Sequence, residues 1–125
     1  MNIVFFGVGV STKKILNQIK SFPKSVNILG FVDNDSDRWG SFMGRPVQSP
    51  QVLKKLEYDY IFILSQLYYN EMRENLIYWH GVEENKIKGQ RGLLQLLLTE
   101  KYKDSEDPEI QEILNYWSLN EISVF

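Results

Sequence analysis

Apolar and polar positions along the chain change period repeatedly, and each change marks the edge of an element. Asn2-Ile3-Val4-Phe5-Phe6 is a short apolar run that ends at Gly7-Val8-Gly9, which reads as a strand running into a glycine turn. Ile15, Leu16, Ile19 and Phe22 then recur at helical spacing until Pro23, predicting a helix over about residues 11 to 22. Asn27 to Val32 reads as a buried strand, and Asp33 to Arg45 as a long polar loop with a helical turn near Ser36 to Trp39. Pro46-Val47 suggests a short extended piece. Ser49-Pro50 has the form of a helix start, a serine N-cap before a proline at the first helical position, with Val52, Leu53 and Leu56 as its buried face.

Tyr58 to Leu64 is aromatic and β-branched, and apolar on both faces over its second half. Strands of that kind are covered on both sides, so a central place in a parallel sheet is expected. Tyr69, Met72, Leu76, Ile77 and Trp79 predict a helix that Gly81 closes in the left-handed conformation. A brief strand follows at Lys86 to Lys88, then helices over Leu93 to Tyr102 and Pro108 to Trp117, parted by the acidic stretch Asp104 to Asp107. The alternation predicts an α/β fold, a three-layer α/β/α arrangement with a mostly parallel sheet, plus C-terminal helices. The expected core is residues 1–90, with 91–125 a helical extension of the same domain. The apolar ending Ile122-Ser123-Val124-Phe125 allows either a segment docked on the core or a chain that continues into a longer protein.

Gly7, Gly9, Asp33 and their neighbours are the first candidates for chemistry. A glycine turn between a strand and a helix lets backbone N–H groups approach a phosphate, here with the hydroxyls of Ser11 and Thr12. Asp33, at the carboxyl end of the second strand, is placed to accept from a ribose hydroxyl, and Asn34 or Asp35 to reach base or sugar. The full fingerprint is G-x-G-x-x-G, and Thr12 stands where its third glycine belongs. The plain alternatives are a tight connection that binds nothing and an Asx turn at Asp33-Asn34-Asp35. Ser65 and Gln66, with Tyr68, follow the central strand where open α/β sheets form their crevice, or they merely cap the next helix. Trp39 could stack on a base or cover the sheet edge, Arg38 and Arg45 could meet a phosphate or solvent, and His80 reads as a cation at a helix C-terminus.

Composition narrows these readings. One domain of 125 residues has no room for a separate catalytic domain, and 14 basic against 16 acidic residues leave a net charge of −2, with no footprint for nucleic acid or acidic lipid. Cysteine is absent and histidine occurs once, which excludes disulfides and makes a histidine or thiolate zinc site improbable. No leader or membrane span is read from the apolar runs, so a cytoplasmic location is expected. The phosphate loop G-x-x-x-x-G-K-[ST], the G-x-S-x-G elbow and a Tyr-x-x-x-Lys pair do not occur, so no residue is assigned a catalytic role.

Together Ile3 to Gly9, Ile28 to Asp35, Trp39-Gly40, Gly44 to Val47, Ser49-Pro50 and Tyr58 to Ser65 make the chain resemble the Rossmann-like N-terminal domains of bacterial surface-polysaccharide proteins, over about residues 2 to 88. Such domains precede sugar O-acetyltransferases, nucleotide-sugar dehydratases and FkbM-type methyltransferases. The resemblance implies a nucleotide or nucleotide-sugar recognition domain that is not catalytic by itself. It implies a UDP-sugar or other nucleotide as ligand, and a catalytic domain attached outside this chain. Gly7 and Gly9 match the phosphate turn, and Asp33 with Asn34 or Asp35 the nucleotide-contacting stretch. Two other classes stand beside it: an NAD(P)-binding oxidoreductase fragment or NAD sensor, and a non-binding interaction module that packs its aromatic helices on a partner. A homo-oligomer is compatible with each of these readings.

Overall fold

The computed structural model of the protein describes residues 1–19 and 21–119. Six strands form one sheet: β1 (Asn2–Phe6), β2 (Asn27–Val32), β3 (Gly40–Phe42), β4 (Arg45–Gln48), β5 (Tyr60–Phe62) and β6 (Ile87–Lys88). They lie in the order β3-β4-β2-β1-β5-β6. All neighbouring pairs are parallel except β3 with β4, so the expectation of a mixed α/β fold with a mostly parallel sheet holds. The helices are α1 (Val10–Gln18), α2 (Tyr69–His80), α3 (Gln90–Tyr102) and α4 (Pro108–Leu119), the last two being the expected C-terminal helices. No helix among the described residues is long and apolar enough to cross a membrane. The Ile122 to Phe125 run lies outside the described residues.

Alternation along the central strands sorts the core into two clusters. Val4, Phe6, Ile61 and Ile63 pack with Leu53 and with Tyr69 and Leu76 of α2. Ile3, Phe5, Phe62 and Leu64 pack with Leu16 of α1 and Leu93 of α3. Successive strand residues point to opposite faces, so each strand feeds both clusters, which explains why β1 and β5 read as continuous apolar runs. On the second face an aromatic row crosses the sheet. Phe42 meets Phe31 edge-on at 5.0 Å, Phe31 stacks on Phe5 at 5.5 Å, and Phe5 lies 6.0 Å from Phe62. The chain moves one way across the sheet through α1 and the opposite way through α2. Right-handed crossovers put those two connections on opposite faces.

Several boundaries differ from the sequence reading for physical reasons. Helix α1 stops at Gln18 rather than near 22, and Ile19 is already extended at φ −90°, ψ 101°. Ile19 and Phe22 still pack against the core from non-helical chain. The Ser49-Pro50 start is real, with Ser49 Oγ accepting from Gln51 N at 3.3 Å, but the segment is a 3₁₀ helix over Pro50–Lys55. β5 is shorter than the 58 to 64 run, although Ile63 N still donates to Lys88 O at 2.8 Å. The loop expected over 33 to 45 holds its helical turn, at Ser36–Arg38, and then an unexpected hairpin. β3 and β4 are joined by Met43 and Gly44 at φ 51° and 76°, the two-residue turn with both φ positive that follows strand twist. Met43 in that conformation hides the signal that asparagine would have carried. Gly81 closes α2 at φ 63°, ψ 25°, as expected.

Candidate functional site

The parallel strands end on one side of the molecule, and three of their exits converge there. Gly7, Gly9, Ser11 and Thr12 follow β1, Asp33, Asn34 and Arg38 follow β2, and Ser65, Tyr68 and Met72 follow β5. Together they line a cleft of about 470 Å³, within the usual size range of small-ligand sites. Crevices outside the carboxyl ends of parallel strands, where connections diverge, are the general ligand position of open α/β sheets.

Gly7 makes the turn. Its φ of 97° is a region that side chains disfavour, and its N–H donates to Val32 O at 2.8 Å. Gly9 is the N-cap of α1 and bonds to it only through its backbone, accepting from Lys13 N at 3.1 Å. No side chain caps α1 and no acid stands in its first turn. The positive end of the helix dipole is thus open at the cleft, an arrangement that favours an anion. Thr12, in the place of the third glycine, is buried in α1 at 3% exposure and still lines the cleft. The helix therefore accommodates its side chain against the sheet.

Asp33 is the hub of the site. It is 8% exposed, and its carboxylate accepts from Val8 N at 3.2 Å through Oδ2 and from Asp35 N at 2.8 Å through Oδ1. One side chain thus ties the glycine turn to the end of β2, and the Asx turn forms at the same residue that the sequence offers for a ribose. A carboxylate offers roughly four acceptor positions, so those two bonds leave capacity for hydroxyl donors. Arg38 stands across the mouth, with Nη1 3.7 Å from Asp33 Oδ2 and Nε 3.6 Å from Asp35 Oδ2. A Cβ built on Gly9 would lie 3.7 Å from that same Nη1, so the guanidinium covers the point where a phosphate would meet the turn. Its side chain is half exposed, so ion pairing holds it only weakly.

Asn34 lines the cleft and gives its amide to Asn75 Oδ1 at 2.9 Å. Ser65 also lines it while accepting from Tyr68 N at 3.2 Å. Asp35, Gln66, Trp39 and Arg45 fall outside the cleft lining. Asp35 is exposed and caps the 3₁₀ turn, accepting from Asp37 N at 3.0 Å. Gln66 turns away to Gln90, 3.3 Å from its Oε1, in a separate hollow beside the start of α3. Trp39 folds back, its Nε1–H donating to Asp33 O at 2.7 Å, and Arg45 donates to Ile28 O at 3.3 Å. His80 ends α2, away from the cleft, and partial burial, then the charge of Lys54, push its pKa below 6.5. The cation expected there from the helix dipole is thus disfavoured by its surroundings. The lining residues that sequence reasoning passed over are Phe6, Val10 and Met72. Arg38 is a phosphate candidate in the sequence, and the 3₁₀ turn rather than any motif sets its position.

Residues 1–88 match the family model described as C2185-like, N-terminal. The chain belongs to the C2185-like N-terminal domain family. In this C2185-like domain the match runs from β1 through β6, so it contains every residue that lines the cleft. α3 and α4 lie beyond it. No curated protein matches the chain at a significant level. Among the described residues of the C2185-like domain and its extension, no group of three or more His, Cys, Asp or Glu side chains could hold a metal ion.

Proposed function

We propose that this chain is a Rossmann-like three-layer domain that recognises a nucleotide or nucleotide-sugar, and that it serves a protein of bacterial surface-polysaccharide biosynthesis whose catalytic domain lies outside these residues. The observation that carries the reading is the convergence of Gly7, Gly9, the uncapped start of α1, Asp33 and Arg38 on one cleft. The diphosphate would meet the backbone of the glycine turn and the Ser11 and Thr12 hydroxyls. A ribose diol would donate to Asp33, and Arg38 would swing from its loose ion pair to a phosphate oxygen. The lining supplies one carboxylate, one guanidinium, hydroxyls and N–H groups, which suit holding a ligand. The link to glycan biosynthesis rests on the resemblance of the β1 to β5 motifs.

The test is a thermal-shift panel with UDP, UDP-sugars, NAD, NADP, CoA and S-adenosylmethionine. A ligand that binds only the folded state at a hundred times its Kd adds about 2.7 kcal/mol of stability. Stabilisation by UDP and UDP-sugars that Arg38→Ala weakens is the expected result. A response confined to NAD or NADP would assign the cleft to a nicotinamide cofactor, and no response at millimolar ligand would leave the domain an interaction module.

A further inference from the structure

The glycine-turn cleft does not end at α2. Phe6, Asn34, Tyr68 and Met72 line it and also line a second hollow of about 470 Å³ that continues along the helix. The rest of that hollow is Glu71, Glu74, Asn75, Tyr78 and Trp79. Counted from Tyr68, these positions recur every three or four residues, so they form one face of α2. That face does not look like ordinary helix surface. Tyr78 and Trp79 are 79% and 77% exposed, and they share the lining with two carboxylates and two amides and with no basic residue.

We infer that this second hollow holds the glycosyl group of a nucleotide-sugar whose diphosphate sits at the Gly7 to Gly9 turn; the inference rests on the function proposed above. The two hollows differ in charge as the two parts of such a ligand do. The first offers an open helix N-terminus and a guanidinium to the phosphates. The second offers Glu71 and Glu74, which repel phosphate and accept hydrogen bonds from sugar hydroxyls. Asn34 and Asn75 are joined by one 2.9 Å bond and keep amide groups for ring oxygens and hydroxyls. The exposed rings of Tyr78 and Trp79 give flat apolar surfaces for the C–H face of a pyranose. A uracil fits this wall less well, because it brings two carbonyl acceptors and a single N–H donor to carboxylates that can only accept, whereas every sugar hydroxyl can donate.

The experiment follows the indole N–H signal of Trp79 in the ¹⁵N-labelled chain, assigned with Trp79→Phe, during titration with UDP, a UDP-hexose and a methyl hexoside. UDP-hexose should bind about tenfold more tightly than UDP, the worth of one or two added hydrogen bonds to charged groups. The Trp79 signal should move with UDP-hexose and with the methyl hexoside, and stay in place with UDP. Trp79→Ala and Glu74→Gln, both at exposed positions, should bring the ratio of the two affinities to about one. The inference is overturned if UDP alone moves Trp79 as far as UDP-hexose does, which would put the base in the hollow. It is equally overturned if UDP-hexose binds without moving Trp79. If neither nucleotide binds, the phosphate cleft has failed by itself, and the methyl hexoside decides: a Trp79 shift keeps the sugar site, and its absence removes it.

Discussion

Replacing Gly9 by alanine separates binding from folding more cleanly than any other change in the cleft. Gly9 has φ −77° and ψ −171°, extended backbone that any residue adopts. A Cβ there meets nothing closer than Arg38 Nη1 at 3.7 Å, ordinary contact with a movable side chain. Alanine is a poorer N-cap than glycine by about 0.5–1 kcal/mol, and a stiffer unfolded chain returns about 0.4–1 kcal/mol. Net stability should therefore change by less than about 1 kcal/mol. Gly7→Ala is the contrasting variant. Its φ of 97° strains a side chain by about 1–3 kcal/mol, and the new Cβ would fall 2.9 Å from Met72 Cε. On the function proposed above, the Gly9 methyl would fill the space through which a phosphate reaches the turn. Forcing a group into an occupied site costs about 1–3 kcal/mol, which is a loss of about 5- to 150-fold in affinity. Urea denaturation measures the first quantity and calorimetric titration with UDP the second. The reasoning fails if Gly9→Ala binds UDP within about twofold of the parent, or if it loses more stability than Gly7→Ala.

Other expectations follow from single side chains. Asp33→Ala removes the acceptor of two backbone N–H groups and should cost about 2–4 kcal/mol in chemical denaturation, with Asp33→Asn retaining part of that. Leu76→Ala, at a position with no exposure, should cost about 2–5 kcal/mol by the same method. The Glu100 carboxyl is held below its ordinary value of 4.5, first by the Ser25 hydroxyl and then by Lys103. Its stabilisation is therefore fully present above about pH 4.5 and lost as pH falls through the lowered value, so Glu100→Gln should be less stable than the parent at pH 7 and match it in strong acid. His80 has its pKa lowered from 6.5 by burial and then by Lys54, so the unfolded chain takes up the proton first. Stability should fall as pH drops below about 6.5, and His80→Gln should lose that part of the slope in denaturation series at pH 7.5 and about 5.5.

The centre of the site is legible in the sequence because its signals are local. A strand, Gly7, Gly9, a helical period and a second strand ending at Asp33 occupy consecutive residues, and chain connectivity alone brings them to one edge of the sheet. Arg38 and Met72 reach the same cleft only through tertiary geometry. A 3₁₀ turn aims Arg38 at Gly9, and α2 lies across the sheet so that Met72 meets Gly7. The pattern of spacing that places Ser65 and Gln66 together could not say that Ser65 borders both the cleft and the hollow beside Gln90, while Gln66 reaches only the latter. The β3–β4 hairpin escaped for a different reason, since its turn puts methionine where asparagine or glycine is usual. His80 shows the limit of a one-dimensional argument about charge: the helix end favours a cation, while burial and Lys54 decide against it.

The most direct test of the central claim is a set of ¹⁵N–¹H amide spectra of the chain titrated with UDP. A nucleotide site at the glycine turn predicts saturable shifts concentrated in residues 7–12 and 33–38, with the Val8 and Asp35 amides that Asp33 holds among the most affected. Spectra unchanged at millimolar UDP, or shifts gathered elsewhere such as at Gly89 to Arg91 in the separate hollow beside the start of α3, would contradict it.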